Sequence, residues 1–323
     1  MAVPVRPADS LTRVTPAALS DLITGALGEL VDEGALRLDG GVPAGVRVER
    51  PRRAEHGDYA TSVALRLGGR AGLAPRRLAG LLASRLAEFD AVASVEVAGP
   101  GFLNVRLAAR AQGSVAADVV AAGPSYGCAD LLLPVDVLGG RDLRTPPRAG
   151  TVAPAEDLVA RLGADTTRYA LLRCPPGAAL DIDEDRWARQ TDDNPLFHVQ
   201  YAHARAASIL RNATDLGLGP ARGHDFDPAM LDQPEEGSLL RALAEMPRVV
   251  ASAAAQATPH RVARYLEDTA SAFYRFHDAC RVLPVGEQEP SSLHAARLLL
   301  VEASRIVLAN GLGLLGVSAP PRL

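Results

Sequence analysis

The sequence has 323 residues, 48% of them hydrophobic and 22% charged, with a formal net charge of −4. That length suits about two domains, each able to bury a core, and the acidic balance excludes a protein that coats nucleic acid non-specifically. All 34 cationic residues are arginine, which excludes chemistry that needs a lysine, such as a Schiff base or a phosphate-clamping P-loop.

Thr15 followed by Pro16 predicts a helix start, and Leu19, Leu22, Ile23, Ala26, Leu27 and Leu30 then recur at helical spacing until Gly34. Val46 to Glu49 alternates like a short strand. Residues 58–70 and 75–89 read as two helices. Val92 to Ala98 and Phe102 to Leu107 read as strands around a Gly99-Pro100-Gly101 turn. Helices and short strands in one small unit predict an α+β domain over residues 1–110. Residues 111–150 form a junction rich in Gly and Pro, with a helix to about residue 122 and one candidate strand at Leu131–Leu133. Residues 151–323 read as an all-α bundle. Pro154 and Asp165 open short helices, Asn194-Pro195 opens a long one, and 238–256, 259–281 and 291–314 follow. Gly217 to Gly237 reads as a polar loop.

No apolar run reaches the roughly 18 residues that span a bilayer, so no membrane partner is expected. Arg6, Asp9, Arg13 and several prolines interrupt the first twenty residues, which predicts no signal-peptide core. Cys128, Cys174 and Cys280 form no CxxC pair, and their odd number suits buried, reduced thiols of a cytoplasmic protein. His260, His277 and His294 have no ligand partner at metal spacing. His56 precedes Gly57-Asp58 with no nucleophile at a recognisable spacing, so it reads as a turn or packing residue. The acids at Asp181, Asp183, Glu184 and Asp185 precede Trp187 and read as a helix start, where carboxylates complement the dipole. No catalytic residue, metal or cofactor is expected.

The helix from Pro195 carries a more specific pattern. At about 100° per residue, Leu196, Val199, Ala202, Ala206, Ile209, Leu210 and Ala213 form one apolar stripe. Asn194, His198, Tyr201, Arg205 and Asn212 share the opposite side. An imidazole, a phenol and a guanidinium in one exposed column suit a splayed-out base, which needs planar groups and edge donors. A solvated polar face with one amphipathic tyrosine would look the same.

Several runs in order resemble the arginyl-tRNA synthetases. Glu49-Arg50-Pro51 with Glu55-His56-Gly57-Asp58-Tyr59-Ala60-Thr61, and SVEVAGPGFLNVRL over 94–107, are similar to the two ends of that family's N-terminal additional domain. RYALLR, LDIDEDRWARQTDDNP, VQYAHAR, PHRVARYLEDTASAFYRFHDACRVL and VLANGLGLLGVSAP resemble its DALR-type helical anticodon-binding domain. Arg148 to Val152, with Asp157 to Val159, resembles the segment after the family's KMSKR loop. The resemblance implies that the nucleotide-binding core, which should precede Arg148, is missing. About twenty residues stand there, fewer than the roughly thirty of one βαβ unit. Arg144-Thr145-Pro146-Pro147-Arg148 occupies the KMSKR position.

By the same resemblance, Phe102 and Asn104 hold the positions that touch the tRNA outer corner, and Asn194, His198, Tyr201 and Arg205 face the anticodon. His198 stands where the family usually has tyrosine, and Leu323 where it usually ends in methionine. The implied function is a non-catalytic tRNA-binding protein. Its implied partners are tRNA, with arginine tRNA the first candidate, and a separate tRNA-dependent enzyme or synthetase. The alternative is a protein-interaction module that kept the bundle and lost RNA.

Overall fold

The computed structural model describes residues 15–51, 53–128, 155–175, 178, 182–221 and 227–323. The expected strand at Leu131–Leu133, the Arg144–Arg148 segment, Asp181 and part of the polar loop lie outside the described residues. The chain divides into two compact units. The first comprises Met1–Val115 with Asp227–Asp232, and the second Ala116–Phe226 with Gln233–Leu323.

In the first unit, Thr15 caps α1 (Pro16–Asp32) by accepting the Ala18 amide at 3.2 Å, and Pro16 takes the first helical position. All six apolar residues of the predicted stripe are buried. They face a core completed by α2 (Val63–Ala71), α3 (Pro75–Leu86) and a three-stranded sheet. β1 (Tyr59–Thr61), β2 (Val92–Ala98) and β3 (Phe102–Leu107) form an antiparallel sheet in the order β1-β3-β2. The span 58–70 was expected to be one helix, and its first residues are instead the strand β1. Tyr59 is buried opposite Val105, and the Thr61 hydroxyl donates to the Arg47 carbonyl at 2.8 Å, so tertiary pairing overrides the local pattern. Val46 to Glu49 contributes only an isolated bridge from Glu49 to Ala60.

The second unit is helical. Residues of α4 (Ala109–Ala122) fall to both units. There follow α5 (Ala155–Leu162), α6 (Ala164–Arg173), α7 (Glu184–Trp187), α8 (Pro195–Asp215), α9 (Pro234–Ala244), α10 (Met246–Ala255), α11 (His260–Ala279) and α12 (Ser292–Leu314). The expected single helix over 238–256 starts earlier, at Pro234, and breaks at Glu245. Pro247, without an N–H, sits in the first turn of α10, where a donor is dispensable. Glu236 is completely buried and receives Arg297 at 2.7 Å, tying α9 to α12. Cys280 is buried and its thiol is pushed up to about 11, first by desolvation. Cys128 and Cys174 are only partly covered, contrary to the expectation that all three are buried. The polar loop contains a 3-10 turn, Pro228–Met230, that belongs to the first unit. A Cβ at Gly113 would lie 2.0 Å from the Pro228 carbonyl oxygen, so only glycine permits this approach.

The His56-Gly57-Asp58 run has a structural role. His56 is half exposed in a 3-10 turn. Gly57 adopts φ +86°, and a Cβ there would meet the Val105 carbonyl oxygen at 2.8 Å. The passage lets Asp58 reach inward, where its Oδ2 accepts from the Leu107 amide and from Gln112 Nε2, both at 2.8 Å. One buried carboxylate thus fixes the end of β3 against the start of α4. Asp58→Ala leaves buried donors without this acceptor, at a cost of about 1–3 kcal/mol. We expect denaturant unfolding to show that loss, with Asp58→Asn recovering part of it.

Candidate nucleic-acid interfaces

Two surfaces collect the residues singled out in the sequence. On β3, Leu103, Val105 and Leu107 point into the core, so Phe102, Asn104 and Arg106 occupy the opposite face. Phe102 is 43% exposed and Arg106 is exposed, whereas Asn104, between them on the middle strand, keeps only 8%. The cross-strand neighbours of Asn104 are Ala60 and Glu96, and Phe102 faces Ala98. The short alanine side chains leave the aromatic ring standing above the sheet. Arg76 donates to the Gly99 carbonyl at 2.7 Å and holds the turn that aims Phe102.

The second surface lies on α8. Of its expected stripe, Leu196, Val199, Ala202, Ala206, Ile209 and Ala213 are buried, and Leu210 is only partly buried. Asn194 is 5% exposed and fully engaged. Its Oδ1 accepts the Leu196 and Phe197 amides at 3.0 and 3.3 Å, and its Nδ2 donates to the Trp187 and Arg189 carbonyls. Asn194 therefore starts the helix and orders the loop before it, and presents no side-chain group to a base.

His198 is not the exposed imidazole that the helical pattern suggested, because α11 covers it. Its Nε2 lies 3.1 Å from Ser271 Oγ, its ring lies 4.9 Å from that of Tyr274, and Tyr274 donates its hydroxyl to the His198 carbonyl at 3.0 Å. Ser271 Oγ also donates to the Glu267 carbonyl at 2.9 Å. The other ring nitrogen, Nδ1, lies 4.0 Å from the Asp192 carboxylate. Burial holds the imidazole below the usual histidine range, against the opposing pull of Asp192 and Glu267.

Tyr201 is half-buried within a tier of rings. Phe197, one turn earlier, stacks at 5.5 Å and 14°, and Tyr274 at 6.3 Å and 24°. With two rings packed against it, Tyr201 keeps a hydroxyl that has no hydrogen-bond partner among the described residues. Arg205, one turn further along α8, is exposed and has no ion pair among the described residues. Tyr201 and Arg205 are thus brought together, His198 lies beneath them in the seam, and Asn194 holds the frame. Phe197 and Tyr274 were missed in the sequence. Phe197 was findable from its four-residue spacing to Tyr201, but Tyr274 arrives from another helix and carried no local signal.

Residues 17–107 match the arginyl tRNA synthetase N terminal domain, and residues 199–323 match the DALR anticodon binding domain. The arginine–tRNA ligase of Frankia alni is 55% identical over 185 residues, covering 57% of this chain and 33% of that protein. The chain thus spans about a third of the length of that curated relative. The fold is similar to that of Thermus thermophilus arginyl-tRNA synthetase, with a TM-score of 0.67 at 16% identity, covering 96% of this chain and 100% of that chain. One polypeptide thus carries a stretch similar to an arginyl tRNA synthetase N terminal domain and, after it, a stretch similar to a DALR anticodon binding domain.

Proposed function

We propose that this chain is a non-catalytic tRNA-binding protein of the cytoplasm, gripping the outer corner of tRNA with its first unit and the anticodon arm with its second. The observation that carries the reading is the outer edge of α8. There a phenol hydroxyl and a guanidinium, neither with a hydrogen-bond partner among the described residues, project beside a tier of aromatic rings. Both residues lie within the segment matched to an anticodon binding domain. A single-stranded loop is recognised by such a combination of stacking surfaces, edge donors and cations. Phe102 and Asn104 supply the corresponding aromatic and amide on the sheet, with Arg106 as the cation beside them. Arginine tRNA is the first candidate, and the consumer of the bound tRNA is a separate synthetase or another tRNA-dependent enzyme.

Absence of catalysis is supported by the chemistry of the sequence. It has no lysine to close on ATP phosphates, and two prolines stand at the KMSKR position, where they remove backbone donors. A second reading, a module that binds protein only, draws on the net charge of −4.

Two experiments separate these readings. Arginine-dependent ATP–pyrophosphate exchange should be indistinguishable from a blank, and measurable exchange would contradict the non-catalytic assignment. Tyr201→Phe keeps the ring tier and removes one hydroxyl hydrogen bond worth roughly 0.5–1.5 kcal/mol. It should therefore weaken binding of an anticodon stem-loop about 2- to 12-fold. Arg205→Ala should weaken binding as well, and neither variant should shift the unfolding midpoint appreciably. Undiminished affinity in both variants would remove α8 from the interface, and no binding of any tRNA at low salt would favour the protein-only module.

A further inference from the structure

A second cationic feature of the helical unit lies outside the tier just described. Between α6, α7 and α11 is a cavity of about 420 Å³ whose wall includes Arg173, Arg186, Arg264 and Trp187. Three guanidiniums around one cavity are unusual in a chain of net charge −4. Two of them are already tethered. Arg173 pairs with Glu267 through two hydrogen bonds of 2.7 and 3.1 Å, and Arg186 Nε donates to the Asp193 carbonyl at 2.6 Å. Arg264 is exposed and has neither an ion pair nor a hydrogen bond among the described residues.

Among the described residues one acid, Asp183, also lines the cavity. Its carboxylate caps α7 by accepting the Arg186 amide at 3.1 Å, so part of its charge is spent on that helix start. The Glu267 charge is answered by Arg173. Among the described lining residues the guanidiniums outnumber the one carboxylate. Trp187, 7% exposed and packed against Tyr169 with ring centroids 6.3 Å apart, makes the wall rigid. A volume of this size accommodates a nucleotide-sized group.

The position of the cavity selects its ligand. Arg264, Glu267, Ser271 and Tyr274 follow one another at intervals of three or four along a single side of α11. Glu267 joins that side to α6 through Arg173, and Ser271 and Tyr274 join it to α8 through His198. Arg264 therefore stands about 15 Å along the same helix side from the ring tier. We infer that this cavity seats a backbone phosphate of single-stranded RNA whose neighbouring nucleotides lie on the Phe197–Tyr201–Tyr274 tier, with Arg264 as the free cation that engages it. Phosphate contact positions the strand and carries no sequence information, while the tier reads the bases. The inference rests on the tRNA-binding reading above.

The test uses the full chain and the stem-loop of an arginine tRNA, with single loop linkages replaced in turn by uncharged methylphosphonate. Arg264→Ala removes an exposed, unpaired side chain, so the fold is retained. It should reduce the log–log salt dependence by about 0.7, and at 0.1 M salt that corresponds to roughly fivefold weaker binding. The loss should be the same for every anticodon sequence. One methylphosphonate linkage should weaken the parent protein by the same amount and have no further effect on Arg264→Ala, because both changes delete one contact. Arg264→Lys should restore much of the slope. If the stem-loop binds the parent protein but Arg264→Ala leaves affinity and slope unchanged, or if the two deletions add, the phosphate seat is overturned and the tRNA-binding reading stands. If the parent protein does not bind the stem-loop at all, both fall.

Discussion

The seam between α8 and α11 is the constraint on which the helical unit's surface depends. Tyr274 donates to the His198 carbonyl, the His198 ring shares a hydrogen bond with Ser271, and Ser271 meets the Glu267 carbonyl. These contacts tie α8 to α11 at a defined register. Half-buried polar groups linked in this way specify a unique arrangement, because any slip leaves a donor or acceptor unmatched away from water. The aromatic tier follows from the register. Tyr201 can pack against both Phe197 and Tyr274 only while α11 is held at this depth against α8. Asn194 supports the same geometry from the helix start, and on the far side Gln200, His203 and Arg211 bind the carbonyls of Ser318, Pro320 and Pro321. The helix that carries the candidate site is fixed from several directions, which leaves its exposed edge pre-organised.

Much of this was legible in the sequence. The caps at Thr15 and Asn194, the apolar stripes of α1 and α8, and the hairpin of β2 and β3 follow from local rules of capping, period and turn chemistry. The failures share one cause. A helical wheel gives a residue's angle about its own axis and is silent about which side a second helix will cover. His198 and Tyr201 fall on the same side of the wheel as Arg205, yet α11 covers the first, flanks the second and leaves the third exposed. β1 was misread for a similar reason, since three residues take their conformation from β3 rather than from their neighbours in sequence. Asn194 was placed in the site by resemblance, and in the structure its side chain is fully occupied as a cap and loop anchor.

The distribution of arginines reconciles an acidic protein with the proposed RNA ligand. Many of the cations serve the fold. Arg85 meets Glu29, Glu33 and Glu88, Arg297 meets a buried Glu236, and Arg305 meets Glu302. Such pairs contribute nothing to the field at a distance. Arg205 and Arg264 are two of the arginines exposed without an ion pair among the described residues, and they stand beside the aromatic tier or along the α11 side that leads from it. A few unpaired cations at defined positions give local affinity and a shallow salt dependence, without the non-specific attraction that a basic surface would bring.

The central claim is that two separate units of one chain hold two separate parts of a tRNA. Hydroxyl-radical footprinting of an arginine tRNA bound to the full chain addresses it directly. The account predicts two protected tracts, one at the outer corner and one in the anticodon loop, with the acceptor end left open to cleavage. Protection spread evenly along the backbone, or confined to the acceptor end, would contradict it.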